Sequence, residues 1–226
     1  MRLGLFILWM AISISVLSQI KKGVRFVESG VTYDLDKSVI ETALFNDSKF
    51  RRRYYKLFVG AGYAIRQNHL LSLDFVARSE KNTSLHGSPI WADAQNAFLK
   101  EEKKETLFGI RMGYEYYFQF TNKIFISSFI SASVGMGSFS REILDVASHG
   151  DILEYDFTLT PRVQYIIKNW SIMISYGMVQ YFNRKTTFEE GTTRGPNPLK
   201  ENDFRADLGL RSLSLGVRYY LNNSQE

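Results

Sequence analysis

From Phe108 to Phe120 every second residue is large and apolar: Phe108, Ile110, Met112, Tyr114, Tyr116, Phe118 and Phe120. Gly109, Arg111, Gly113, Glu115, Tyr117 and Gln119 lie between them. Such strict period-two alternation marks a strand with two unlike faces. Tyr55, Leu57, Val59, Ala61, Tyr63 and Ile65 repeat it opposite Lys56, Gly60, Gly62 and Arg66. Leu71, Leu73, Phe75 and Ala77 repeat it opposite Ser72, Asp74 and Arg78. Three more segments follow, Ile124 to Met136, Tyr155 to Ile167 and Ile172 to Met178, and the last strand reads SLSLGVRYYL from Ser212 to Leu221. In the first strand, Val24 to Leu35, the apolar residues change parity, which predicts a bulge near Ser29-Gly30. The pattern predicts eight strands and an all-β chain.

The connections sort themselves by length. Gln67-Asn68-His69, Thr121-Asn122-Lys123 and Lys168-Asn169 are hairpin-length turns, each with an Asn. Between them lie long connections: Asp36 to Arg53, Glu80 to Lys104, Ser140 to Glu154 and Arg184 to Arg205. Strict alternation of long and short predicts an eight-stranded antiparallel up-and-down transmembrane β-barrel, with short periplasmic turns and long extracellular loops. A ten-stranded barrel is the nearest rival, with the second long loop as the place to hide a hairpin. Aromatic residues gather at the strand ends. Tyr116, Phe118, Phe120, Trp170 and Tyr219 mark the short-turn end; Tyr55, Tyr155, Phe157 and Phe182 mark the other. A soluble core would need a second layer over the apolar face, and the sequence offers none. Lipid is the expected cover.

The N-terminus changes the picture of location. Arg2 precedes an apolar run from Leu3 to Leu17, and Val16-Leu17-Ser18 resembles the exit of a cleavage site. That order predicts a signal peptide over residues 1–18 and a barrel domain over 19–226. The run is shorter than the ~20 residues of a spanning helix. Cysteine is absent, so export proceeds without disulfides. The 13 Tyr and 17 Phe against 4 Pro favour strands. A net charge of +5 is modest enough to be simple solubility, and nucleic acid is not expected as a partner.

Ser214-x-Gly216-x-x-Tyr219-x-Leu221 resembles the C-terminal assembly signal of outer-membrane proteins, with Leu in place of a terminal Phe and a short tail after it. Taken with the alternating connections, the chain resembles small outer-membrane barrels of the OmpA/OmpX type and the PorT-like barrels of Bacteroidetes. The resemblance implies an outer-membrane location and recognition by the barrel-assembly machinery.

Parity assigns Lys56, Arg66, Asp74, Arg78, Arg111, Glu115, Asp156, Arg162 and Arg218 to the inner face. An eight-stranded barrel is only wide enough for side chains to fill. The expectation is a lumen plugged by ion pairs, with a narrow channel as the alternative. No metal-ligand spacing or nucleotide fingerprint occurs, and no cofactor is expected. Small barrels that act as lipid A-modifying enzymes use a His base. Here His69 falls in a turn, with His86 and His149 in loops, and Ser148-His149-Gly150-Asp151 is the one local candidate for such chemistry. The leading expectation is therefore a non-enzymatic monomer, structural or binding a surface partner through its loops. Two loop features add detail. Arg51-Arg52-Arg53 can contact anions such as lipopolysaccharide phosphates. Pro89 to Glu105 predicts a short helix started by its proline.

Overall fold

The computed structural model describes residues 20–42, 45–86, 99–143, 146–189, 198–207 and 213–221. The expected signal peptide, the C-terminal tail after Leu221 and most of the expected helix lie outside them. The described residues contain no helix, and their strands form one antiparallel sheet. In chain order these are β1 (Arg25–Thr42), β2 (Phe45–Arg66), β3 (His69–His86), β4 (Leu99–Gln119), β5 (Ile124–Ile143), β6 (Val146–Ile167), β7 (Trp170–Ser175), β8 (Met178–Phe188), β9 (Leu199–Asp207) and β10 (Ser214–Leu221).

Each of the first six strands pairs with its successor, β6 with β7, β7 with β10, and β10 with β1. The pairings thus return to their start through eight strands. β8 continues beside β6 where β7 stops, and β9 pairs with β8. All 8 residues of β10 pair with β1, from Arg25↔Leu221 to Thr32↔Ser214. Beyond Thr32, β1 pairs with β2 alone.

Ten strands appear instead of eight because the predicted strand from Ile172 to Met178 is interrupted, and because β9 forms largely within the expected fourth long connection. On β6, Arg162 faces Ser175 while Leu159 faces Val179, so three steps on one side meet four on the other. The extra residue falls at Tyr176-Gly177, where Gly177 takes φ +66°. Glycine supplies that conformation without a Cβ clash, and a bulge results. It sits opposite Pro161, which has no N–H to give the ladder. Its carbonyl still accepts from Tyr176 N at 3.4 Å. Between β9 and β10 the offset is larger: Asp207 faces Met178 and Ser214 faces Ser175.

The expected long loops are mostly strand. β2 and β6 run for 22 residues each, β4 for 21 and β5 for 20. Charged residues such as Glu101 to Lys104 pair across strands and extend the ladder, so polarity there marks an exposed sheet and not a loop. Leu99–Glu105, assigned above to a helix, belong to β4. No bulge occurs at Ser29-Gly30: the β1 register runs through both residues on both sides. The parity change has another cause. Val24 and Phe26 point into the interior, whereas Val31 and Tyr33 point out. Phe182 also points in, leaving Tyr181 as the outward aromatic.

At the short-turn end the buried side chains form an apolar cluster: Ile20, Val24, Phe26, Ala64, Leu70, Tyr117, Phe125, Ile166 and Tyr220. The segment before β1 is tied beneath it by Gly23 N to Ala64 O at 2.9 Å and Asn68 N to Ile20 O at 3.1 Å. Asn68 and Lys168 adopt positive φ in the two tight turns. Asn tolerates that region better than Lys. Outside, the sheet is apolar: Phe75, Met136, Phe108 and Met112 are 68, 67, 64 and 64 % exposed.

Candidate functional site

The interior holds the chemistry. Alternation aims Arg111, Glu115 and Tyr117 of β4 inward, and across the enclosed space they meet side chains from strands that are not their neighbours. Arg218 of β10 donates from Nε to Glu28 Oε2 at 3.0 Å and from Nη2 to Glu115 Oε2 at 2.7 Å. It also donates to the Tyr117 hydroxyl and lies over the Phe26 ring, 4.2 Å from its centroid. Glu115 further accepts from Ser127 Oγ at 2.5 Å, Gln164 Nε2 at 2.9 Å and Arg162 Nη1 at 3.3 Å. Ser171 Oγ donates to Gln164 Oε1 at 2.9 Å. Each ionised group here has an opposite charge within reach, although Glu28 Oε1 and Arg162 Nε are buried without a hydrogen-bond partner.

Above this tier Arg111 donates from Nε to Asp74 Oδ2 at 2.8 Å, facing it directly across β3–β4. Its guanidinium lies 4.5 Å from the Phe58 centroid and 5.1 Å from that of Phe129. Arg162 also lies over Phe129, 3.4 Å from its centroid. Two arginines thus meet one ring, and each also has a carboxylate, Asp74 for Arg111 and Glu115 for Arg162. Higher still, Arg78 forks onto Glu154 at 2.5 and 2.9 Å, and Arg184 joins Glu154 at 2.6 Å to Glu105 at 3.0 Å. Asp156 is held by Ser133 and by Thr158 Oγ1 at 3.0 Å. Between the tiers lies a cavity of about 180 Å³ bordered by Lys56, Arg78, Glu154 and Thr158. It has room for a handful of waters. Among the described residues Lys56 has no ion pair, and it faces Arg78 in register.

Of the nine residues assigned inward from sequence, Asp74, Arg111, Glu115, Arg162 and Arg218 are buried. Lys56, Arg78 and Asp156 are partly buried on the same face. Arg66 is exposed and joins nothing: the β2 ladder slips between Ala64 and Arg66, and parity is lost there. The interior also uses Glu28, Glu105, Glu154 and Arg184, none of them among the nine, and Gln164, which alternates inward in the same row as Arg162. Continuing β4 and β6 parity beyond the apolar rows would have found Glu105 and Glu154.

The remaining candidates fall elsewhere. Ser148 and His149 are consecutive on β6, so they point to opposite faces. His149 and Asp151 share the exposed face, where no triad forms. His69 contacts Tyr114 OH through Nδ1 at 2.6 Å and stacks near Tyr116. Among the described residues no group of His, Asp or Glu could hold a metal ion. Ser214, Gly216, Tyr219 and Leu221 all lie on β10, the strand that joins the end of the sheet to β1. Tyr219 stacks on Trp170 at 4.8 Å.

Alternation also divides Arg51-Arg52-Arg53. Arg52 turns inward to Glu80 at 3.0 Å. Burial alone would raise the Glu80 carboxyl, but Arg52, Asn82 and Arg78 together outweigh it and hold the group below its ordinary value. Arg51 and Arg53 stay on the outer face.

No protein-family model matches the chain, and no curated protein does. Among solved structures it is similar to the Neisserial surface protein A, with 14 % identity, 86 % of this chain and 96 % of that chain covered, and a TM-score of 0.42. The translocator domain of the autotransporter NalP from Neisseria meningitidis gives 11 %, 96 %, 94 % and 0.46. A major outer membrane protein from Thermus thermophilus gives 10 %, 88 %, 99 % and 0.43.

Proposed function

We propose that the chain is an outer-membrane β-barrel of eight spans, sealed inside, without catalytic activity, whose strands extend beyond the bilayer as a polar collar. The observation that carries this reading is the inversion of faces. Arg111 is 6 % exposed and its neighbour Met112 is 64 % exposed. Water would favour the reverse, and only a hydrocarbon surround rewards it. Crossing a bilayer at a tilt takes ~9–11 residues per strand. The first six strands are about twice that, which supports an extension on the long-connection side. The three ion-pair tiers and the apolar cluster at the short-turn end support a sealed interior. Ser148 and His149 point to opposite faces of β6, so the one local Ser-His-Asp candidate lends an enzyme reading no support. In this reading β10 is the strand the assembly machinery handles, and the collar is where a surface partner binds a monomeric barrel.

Fractionation with a heat-modifiability gel, followed by planar-bilayer recording, tests it. The expected result is outer-membrane recovery, a heat-dependent mobility shift and no stepwise conductance. Recovery as a soluble protein would remove the membrane reading; steady conductance would remove the sealed interior.

A further inference from the structure

The register places Arg53 of β2 opposite Lys81 of β3, and Lys81 opposite Lys104 of β4. All three occupy outward positions, two to four residues beyond the outward apolar residues Tyr55, Ala77 and Phe108. Directly opposed residues have Cβ atoms about 4.5–5.5 Å apart, and like charges so placed repel. Three cations therefore share a line of roughly 10 Å. Arg51 and Lys100 add two more on the same face. One carboxylate answers them: Glu102 takes Lys81 at 2.9 Å, Lys104 at 3.0 Å and Lys100 at 3.7 Å. Among the described residues Arg51 and Arg53 have no acidic partner. The strip ends at β5, where Glu142 faces Glu102.

A sheet that sets cations opposite one another at the upper border of its lipid face retains them at a cost unless an anion lies along the line. We infer that this strip binds the phosphate groups of a glycolipid in the outer leaflet. The inference rests on the membrane reading above. Position selects the lipid over free phosphate. The acyl chains of such a molecule would lie on Phe75, Phe108 and Met112, directly below the cations, so one ligand satisfies both surfaces. Arginine grips phosphate through paired N–H donors and lysine as a point charge. Hydroxyls of Ser79 and Thr106, between the cations and the apolar rows, suit the sugar level.

The test uses purified full-length protein in a neutral, phosphate-free detergent, with bis-phosphorylated lipid A and its dephosphorylated form as probes, read by native mass spectrometry. Wild type should bind the phosphorylated lipid about tenfold more tightly or better. Arg53→Gln/Lys81→Gln/Lys104→Gln should lose that preference, while Lys185→Gln, an outward cation on β8, should keep it. Heat-modifiability confirms that each variant folds; Lys104→Gln alone should lose part of the preference if the triple variant does not. Equal preference in wild type and the variants overturns the inference. Complete displacement by excess inorganic phosphate would also overturn it, as free phosphate would then be the ligand. Wild type that shows no heat-modifiable form fails the membrane reading instead. A second readout is the shift on adding lipid: phosphorylated lipid should raise the melting point of wild type and leave that of the triple variant unchanged.

Discussion

Glu28 and Arg218 stand directly opposite each other across the β1–β10 seam, joined at 3.0 Å from Nε to Oε2. One residue comes from the first strand and the other from the last. Because Arg218 also holds Glu115 on β4, the seam is tied to the far wall as well as to its own edge. The side chain that spans the β1–β10 seam is therefore also one that neutralises the interior carboxylates.

Arg218→Met should be among the most damaging single changes. It leaves Glu28 without its ion pair and Glu115 with Arg162 alone, and breaking a buried pair from one side costs ~3–5 kcal/mol. Urea titration of the heat-modifiable form should show the loss. Adding Glu28→Gln should restore part of it by removing the orphaned charge. A double variant no better than the single one would show that Arg218 acts by packing on Phe26 and not by charge.

Met112→Arg puts a cation on the proposed lipid face and should cost about 2–4 kcal/mol in a bilayer. Thr187→Arg, exposed on the outer face of β8 beyond the apolar rows, should cost little. Membrane yields and midpoints of the two variants decide it, and equal behaviour would mean that Met112 does not face lipid.

The strand cores were legible because period two needs only a contrast of faces, and β4 carries it without interruption from Phe108 to Phe120. Legibility ended where the contrast did. From Lys100 to Lys104 both faces are charged, so a strand reads as a loop even though its ladder to β3 and β5 continues. The inner ion pairs were legible as a set of charges but not as partners. Arg78 meets Glu154 across strands that no local pattern relates, and Glu28 lay in the segment whose parity change suggested a bulge. Arg51-Arg52-Arg53 looked like one cluster because adjacency in sequence hides the alternation that sends Arg52 inward. The Arg53–Lys81–Lys104 line needs the register of three strands, which no single segment encodes.

Glu102 should give the collar an acid-sensitive element. Hydrogen bonds from Lys81 and then Lys104 hold its carboxyl at about 2, against an ordinary 4.5. A lowered folded value means the stabilisation is complete above about pH 4.5 and is lost as pH falls toward 2. Lys81, Lys100 and Lys104 are the cations around it, and Glu142 opposite is the other acid on the face. A carboxyl-resolved NMR titration should find Glu102 well below its ordinary value, and Lys81→Gln should move it upward. A Glu102 midpoint near 4.5 in the wild type would mean that the lysines do not hold it.

Two glycines should respond to the same substitution with opposite sign. Gly30 on β1 faces Gly216 on β10, and a Cβ at Gly30 would lie 2.5 Å from the Phe58 ring and 2.6 Å from the Leu215 carbonyl oxygen. The ring cannot retreat freely, because Arg111 lies over it. Gly30→Ala should therefore cost about 1–3 kcal/mol through overpacking. A Cβ at Gly135 on β5 would meet nothing closer than Phe108 O at 3.6 Å and Leu107 Cδ2 at 3.7 Å. Those are ordinary contacts, so Gly135→Ala should be neutral or gain about 0.4–1 kcal/mol by restricting the unfolded chain. Urea midpoints in the same detergent compare the two. Equal destabilisation would show that the interior is uniformly tight at both positions; equal tolerance would show that the seam beside Phe58 is looser than the packing of Gly30 and Gly216 requires.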